Sequence, residues 1–166
     1  MVRAITDFTG MWQWEAGQTV QLLNKIMPEN LNKPVENYGR TVGELGWHLV
    51  EGTISAAKEL GFQIKSPLTR EEALNDVQQL VTAYEQTMKS FADVVANNWT
   101  DDQLPENVKI WGFEMQKGHV LTSLELHQAH HRGQMTVLMR LLNNPIAGIY
   151  GPIREEMEAM MQAKQN

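Results

Sequence analysis

Four long segments with helical apolar spacing constrain the fold of this chain more than any other feature. They cover residues 4–27, 41–60, 70–97 and 118–143, and breaks containing proline or glycine separate them. Apolar residues recur at intervals of three and four positions in each segment, as in an amphipathic helix. Thr41-Val-Gly-Glu44 and Thr69-Arg-Glu-Glu72 predict capping boxes that start the second and third helices. We therefore expect an all-α fold, an antiparallel four-helix bundle.

Two smaller elements are expected beside the four long helices. A short C-terminal helix is predicted after Pro152, with Ile153, Met157, Met160 and Met161 on one side. Residues 108–116 alternate apolar and polar side chains at their start and predict a short extended piece. A length of 166 residues suits one core, so residues 1–166 are predicted to form a single domain.

Composition excludes several classes of function. The formal net charge of −6 makes nucleic acid an unfavourable partner, because phosphate binding needs a basic surface. No apolar stretch is long enough to cross a membrane, and the first residues lack the apolar region of a secretory signal. The chain has no cysteine, which excludes disulfides and thiolate metal sites. These observations predict a cytoplasmic protein whose metal ligands, if any, are histidines and carboxylates.

The fourth segment carries the strongest chemical signal. Its three-four spacing from Val120 defines a predicted inner stripe that includes Leu124, Leu138 and Leu141. The same spacing places His127, His131 and Gln134 in this stripe, between the leucines. Two histidines four residues apart lie one above the other on a helix, about 6 Å apart along the axis. Two ring nitrogens at that spacing can converge on one cation. The alternative is a structural pair satisfied by hydrogen bonds, and the pattern alone gives the two about equal weight.

A third ligand would have to come from another helix. His119 lies more than two turns before His127 on the same helix, whereas His48 lies in the middle of the second segment. The predicted metal ligands are therefore His48, His127 and His131, open on one side. Imidazole ligands suit Zn²⁺, and Ni²⁺, Fe²⁺ and Mn²⁺ are not distinguished from it.

The other polar residues near this stripe receive simpler interpretations. His119 and His130 are expected at the surface or behind the ligands, and Arg132 is expected to point away from the site. Glu15 and Thr19 interrupt the first stripe and are predicted to form a partly wet helix face. The candidates to accept hydrogen bonds from the histidine rings are Glu15, Glu44, Glu51 and Gln134.

Two sequence blocks resemble the DinB-like (DinB/YfiT-like) proteins. They are GELGWHLVE in the second segment and LHQAHHRGQM in the fourth, and the pattern of four long helices extends over most of the chain. The resemblance implies a four-helix bundle, often a homodimer, that binds a divalent metal through one histidine of the second helix and two of the fourth. Carried onto this sequence, these are His48, His127 and His131. Relatives include transferases that act on low-molecular-weight thiols such as bacillithiol, and a thiol-dependent isomerase.

Two functions follow from these expectations. The first is a metal-dependent enzyme, a thiol transferase or a hydrolase acting on a small molecule, in which no catalytic residue is yet assigned. The second is a non-catalytic helical homodimer whose metal is structural or sensed. A ferritin-like di-iron protein is set aside because no Glu-x-x-His motif occurs in the sequence.

Overall fold

The computed structural model describes residues 1–164 and contains six α-helices and one β-hairpin in that range. The elements are α1 (Ile5–Leu23), α2 (Val42–Glu59), α3 (Arg70–Ala73), α4 (Val77–Asn98), β1 (Asn107–Ile110), β2 (Phe113–Gln116), α5 (Lys117–Leu141) and α6 (Arg154–Ala163). The four long helices α1, α2, α4 and α5 correspond to the four predicted segments. The all-α bundle with a short C-terminal helix is confirmed.

The four long helices form a ring of contacts around one core. Helices α1 and α2 each pack against both α4 and α5, so the consecutive helices α1 and α2 occupy opposite corners of the bundle. Phe8 and Trp12 of α1 pack with Phe91 of α4, with ring centroids 5.2–6.1 Å apart. The Trp12 indole N–H donates to the Met88 carbonyl at 3.0 Å, so this aromatic cluster leaves no polar atom of Trp12 unpaired.

The crossing segment between α1 and α2 is fixed at the start of α2. The Thr41 hydroxyl accepts from the Glu44 amide and the Glu44 carboxylate accepts from the Thr41 amide, which confirms the predicted capping box. The Gly43 amide donates to the Leu31 carbonyl at 2.9 Å, and a Cβ on Gly43 would lie 2.8 Å from that oxygen. A glycine is therefore needed for the crossing segment to approach α2 this closely.

The third predicted helix is interrupted, contrary to the expectation of one helix over residues 70–97. The Thr69 capping box is present, but α3 ends at Ala73 and α4 begins again at Val77. The Asp76 carboxylate accepts hydrogen bonds from the amides of Gln78 and Gln79, at 2.6 and 3.2 Å. Because this side chain satisfies two amides that a continuous helix would bond to carbonyls, it favours a new helix start over continuation.

Replacing Asp76 by alanine should lower the free energy of unfolding by about 1 kcal/mol, the usual loss for a helix cap. Urea unfolding followed by circular dichroism measures it. Asp93→Ala on the same helix is the matched control, because Asp93 forms only an exposed ion pair with Lys89. A loss no larger for Asp76→Ala than for Asp93→Ala would contradict the capping role.

The predicted extended piece is a β-hairpin. Strands β1 and β2 pair antiparallel, with Ile110 opposite Phe113. The two turn residues Trp111 and Gly112 both have positive φ, 53° and 78°, which matches the tight turn that suits a two-residue hairpin. Within residues 1–164, none of the helices combines the length and apolar character needed to cross a membrane.

Candidate metal centre

Three histidine rings meet where α2 and α5 pack together. His48 lies in α2, and His127 and His131 lie one turn apart in α5. The Nε2 atoms of His127 and His131 are 3.0 Å apart, and one ring nitrogen from each of the three residues lies within 4.8 Å of the others. Within the described part of the chain, no further histidine or carboxylate joins this group. The structure thus brings together the three side chains predicted from the sequence.

A glycine on α2 makes room for the ring of His127. Gly52 follows His48 by one turn, and a Cβ built on it would lie 3.3 Å from Cε1 of His127. That distance is tighter than an ordinary contact, so a larger residue would push the ring. The third ring, His48, has its centroid 5.3 Å from that of His127 and 4.6 Å from that of His131.

One predicted hydrogen-bond partner of the rings is found and two are engaged elsewhere. Gln134 Oε1 lies 2.7 Å from His131 Nδ1, and since an amide oxygen only accepts, His131 Nδ1–H is the donor. With the proton on Nδ1, the Nε2 atom of His131 carries a free lone pair, and this atom faces the other histidines. Glu44 bonds Thr41 and Arg70, and Glu15 bonds Arg132, so neither of these carboxylates orients a histidine.

Burial and mutual repulsion keep these imidazoles neutral. Burial, and after it the neighbouring His131 and His48, lower the pKa of His127 to about 4. The pKa of His48 is also lowered, first by burial and then by the Arg40 guanidinium. Burial lowers the pKa of His131, against the bond to Gln134, which raises it. Near pH 7 all three rings are therefore neutral, the form that binds metal.

The lowered pKa of His127 gives the metal-free protein a pH-dependent stability. Between its ordinary pKa of 6.5 and about 4, the unfolded chain binds a proton at this ring that the folded chain does not. His127 therefore lowers stability as the pH falls from 6.5 towards 4. Glu125 acts in the opposite direction, because burial raises its pKa to about 7.

The contribution of His127 is isolated by comparison with His127→Gln. In chelator, the urea midpoint of the wild type should fall more between pH 7 and pH 4.5 than that of the variant. Parallel pH profiles of the two proteins would show that the folded state leaves this ring at its ordinary pKa.

The inner face of α5 differs from the predicted stripe. The buried residues along its central and C-terminal turns are Leu124, Gln128, His131, Arg132, Met135, Leu138 and Met139. Gln134 is only half-buried and Leu141 is 61% exposed, although both were predicted inside. His127 is half-buried as well, so the histidines lie at the edge of the core, where the site can open to solvent.

Arg132 is the clearest correction to the sequence analysis. It was expected to point away, but it is 1% exposed and forms an ion pair with Glu15. Its guanidinium also donates to the Thr19 hydroxyl and the Glu15 carbonyl, at 3.0 and 2.9 Å, and it contacts the Tyr150 hydroxyl. Glu15 and Thr19 are buried, not a wet face, because this arginine satisfies them. One polar cluster therefore ties α1, α5 and the segment before α6 together beside His131.

α5 makes a second buried polar contact, which no pattern in the sequence predicts. The Gln128 amide oxygen accepts from the Tyr84 hydroxyl of α4 at 2.7 Å, and its nitrogen lies 3.2 Å from Met88 Sδ. The contact fixes the rotation of α5 one residue after His127. Burial raises the pKa of Tyr84, so its hydroxyl stays protonated and donates.

A cleft of about 420 Å³ opens beside His48. Its walls include Trp47 and Glu51 of α2, and Arg40, which directly precedes the α2 capping residue. Sequence reasoning did not single out Arg40, since its position depends on the path of the crossing segment. Of the three histidines, His48 is the one that lines this cleft.

Comparison with known proteins agrees with the fold and with the family that the sequence resembles. Residues 1–165 match the family described as the DinB family. The chain is 35% identical over 158 residues to the uncharacterized protein YrdA of Bacillus subtilis (strain 168), covering 94% of this chain and 93% of that protein.

Solved structures show the same arrangement of helices. A DinB-like protein from Bacillus cereus ATCC 10987 superposes with a TM-score of 0.81 at 27% identity, over 90% of this chain and all of that one. The DinB-like protein YjoA of Bacillus subtilis gives a TM-score of 0.67 at 14% identity, over 89% of this chain and 99% of that one, and supports the fold alone.

Proposed function

Given that this chain belongs to the DinB family, we propose that it is a divalent-metal-dependent enzyme that acts on a small molecule at the three-histidine site. His48, His127 and His131 would hold the ion, with Gln134 orienting His131. The observation that carries the proposal is the convergence of three neutral imidazoles, one of which, His48, lines an open cleft.

The donor set fits a catalytic site better than a closed structural one. Structural zinc sites have four protein ligands, whereas catalytic sites have three and leave a position open. Here three nitrogens from two helices converge, and no fourth protein ligand joins them within residues 1–164. When bound, a divalent ion supplies Lewis acidity that lowers the pKa of water or of a thiol by several units. The protein's own part is to orient the rings, hold them neutral and shape the cleft.

Thiol transfer to an electrophile, or hydrolysis, is the chemistry we assign to this site. A low-molecular-weight thiol is the substrate expected from the resemblance to relatives, and Zn²⁺, Ni²⁺, Fe²⁺ and Mn²⁺ all remain candidates for the ion. We also propose that the protein works in the cytoplasm as a homodimer. Exposed Leu126, Val137 and Leu141 on one face of α5 support the dimer, because such an apolar face is stabilised by a partner.

The test is turnover with and without metal. Protein purified without a histidine tag is treated with chelator and reconstituted with each of the four ions. It is then assayed for transfer of cysteine to an aryl halide and for hydrolysis of a nitrophenyl ester. We expect at least one rate above background that is lost with the metal and restored by one equivalent. His131→Ala should lack this rate, whereas His130→Ala should keep it because His130 is exposed. Transfer and hydrolysis rates that are the same in the chelated protein and with each of the four ions would contradict the proposal.

The competing proposal is a non-catalytic protein whose metal is structural or sensed. Unfolding measurements distinguish a structural metal from a catalytic one. The buried apolar core spans all four long helices and does not depend on the histidine group. We therefore expect the chelated protein to stay folded, with a cooperative transition, and excess metal to raise the midpoint only by mass action. Loss of the folded state on chelation would favour the structural role.

A further inference from the structure

The exposed apolar side chains of this protein are unevenly distributed over the bundle. Within residues 1–164, none of the large exposed apolar residues lies on α2, α3 or α4. Helix α5 carries three of them, and two of these, Leu126 and Val137, are 65% and 52% exposed. The outer face of α5 is therefore a long helix surface that a single chain leaves uncovered.

Leu126 and Val137 belong to one strip along α5. At about 100° per residue, four positions of the helix fall within about 80° of one another, namely Leu126, Ala129, Gly133 and Val137. We call these four residues the α5 strip, whose order is large, small, small, large. Arg132 lies between them in sequence, but it is buried against Glu15 on another side of the helix. The strip is therefore uncharged, and its small centre leaves room for a second helix.

Gly133 supplies a second, independent observation. It lies in the interior of α5 and is exposed, and a Cβ built on it would meet no atom within 4 Å. Packing within the chain therefore does not require glycine here, although glycine destabilises a helix interior relative to alanine. The close approach of another helix accounts for it, because the distance between packed helices depends on the side chains at their contact.

We propose that the α5 strip packs against the same strip of a second copy of this chain, with the two helices antiparallel about a two-fold axis. Such an axis makes every contact reciprocal. With the axis between Ala129 and Gly133, Leu126 of each chain lies against Val137 of the other, and the small residues lie where the helices cross. The inference deepens the proposed homodimer, on which it rests, and uses none of the metal chemistry.

Charge favours the antiparallel arrangement over a parallel one. Arg140 follows the strip on the same face of α5 and forms an ion pair with Glu155. A parallel pair would place the two Arg140 guanidiniums side by side and would align the two helix dipoles, and both arrangements are repulsive. In the antiparallel pair, Arg140 lies at the level of the uncharged Ser123 of the second copy.

Helix α6 adds apolar surface at one end of the strip. The 2.9 Å ion pair between Arg140 and Glu155 holds α6 beside the C-terminal end of α5. In one chain, described over residues 1–164, none of the ten residues of α6 is buried, and Met157, Met160 and Met161 are exposed. A helix this short is marginally stable alone. The N-terminal half of the second α5 would cover it, which enlarges the contact towards the area of about 800 Å² per partner that is typical of specific interfaces.

The test measures the dimer dissociation constant of the full-length protein by sedimentation equilibrium. We expect the wild type to dimerise. Leu126→Lys or Val137→Glu alone should weaken the dimer more than about tenfold, because the axis repeats the loss of each buried apolar contact. Phe113→Lys is the matched control and should change the constant little, since it places the same charge on an exposed apolar residue of the hairpin.

The double variant Leu126→Lys with Val137→Glu tests the geometry. The two positions are about 16 Å apart along one helix, so the introduced charges do not pair within a chain. In the antiparallel dimer, the introduced lysine of each chain meets the introduced glutamate of the other. The double variant should therefore dimerise several-fold more tightly than either single variant.

Gly133→Ala separates folding from association. In the Leu126→Lys background it should raise the urea midpoint, because the space around Gly133 is open and alanine favours the helix. In the wild-type background it should weaken the dimer more than about tenfold, since the added methyl group separates the crossing helices on both sides of the axis. Gly10→Ala is the matched control, because Gly10 lies inside α1 with the same open space, and it should leave the dissociation constant unchanged.

Three outcomes count against the inference. A wild-type chain that sediments as a monomer at every concentration would remove the homodimer and this contact together, while the metal analysis would stand by itself. A dimer that neither Leu126→Lys nor Gly133→Ala weakens would keep the homodimer and overturn the contact through α5. Loss of the dimer in both single variants, without recovery in the double variant, would overturn the antiparallel arrangement.

Discussion

Replacing Arg132 by methionine should lower the free energy of unfolding by about 3–5 kcal/mol, the loss expected when one partner of a buried ion pair is removed. Arg132 is 1% exposed and Glu15 is 6% exposed, so neither is solvated by water in the folded state. Without the guanidinium, the Glu15 carboxylate stays buried without a counter-charge and the Thr19 hydroxyl loses a donor. Urea unfolding at pH 7 measures the loss.

Two further variants show whether the buried charge is the cause. The double variant Arg132→Met with Glu15→Leu should recover much of the stability, because it removes both charges and keeps the volume apolar. Arg140→Met, on the same helix, removes an exposed ion pair with Glu155 and should cost less than about 1 kcal/mol. A loss for Arg132→Met as small as that for Arg140→Met would show that the pair is not buried as described.

Replacing His131 by alanine should weaken zinc binding by more than about 100-fold. Loss of a group that only orients a metal ligand costs roughly 10–100-fold in affinity, and loss of a ligand costs more. His131 is the central ring, since its Nε2 faces His127 and its centroid is 4.6 Å from that of His48. Competition with a chromophoric chelator measures the dissociation constants.

The neighbouring residues supply graded controls for this loss. Gln134→Ala should fall in the 10–100-fold range, because it removes the acceptor for His131 Nδ1–H and leaves the three rings in place. His130→Ala should change affinity little, since His130 is exposed one residue away. Equal losses for His130→Ala and His131→Ala would mean that zinc binds at the surface of α5.

The sequence predicted the helices because their signals are local. The Thr41 and Thr69 capping boxes and the three-four spacing act within a few residues, and both helix starts are where they were expected. The interruption at Asp76 was missed because the apolar stripe continues through it. An aspartate there is compatible with a helix surface or a cap, and only the backbone path distinguishes them.

The histidine group was predictable for the same reason, whereas its surroundings were not. His127 and His131 share a face by helical geometry, and His48 was the remaining histidine on another long helix. Arg132 was assigned outward because it lies off the three-four stripe through His131, but its burial depends on Glu15, which is distant in sequence and adjacent in space. Arg40 likewise reaches the site through the crossing segment before α2, whose path no periodicity describes.

The most direct test of the account is metal analysis by mass spectrometry of tag-free protein purified in parallel as wild type, His131→Ala and His130→Ala. The account predicts about one divalent ion per chain in the wild type and in His130→Ala, and nearly none in His131→Ala. A wild-type protein without metal that also fails to take up any of the four ions would contradict it. An ion retained in full by His131→Ala would contradict it equally.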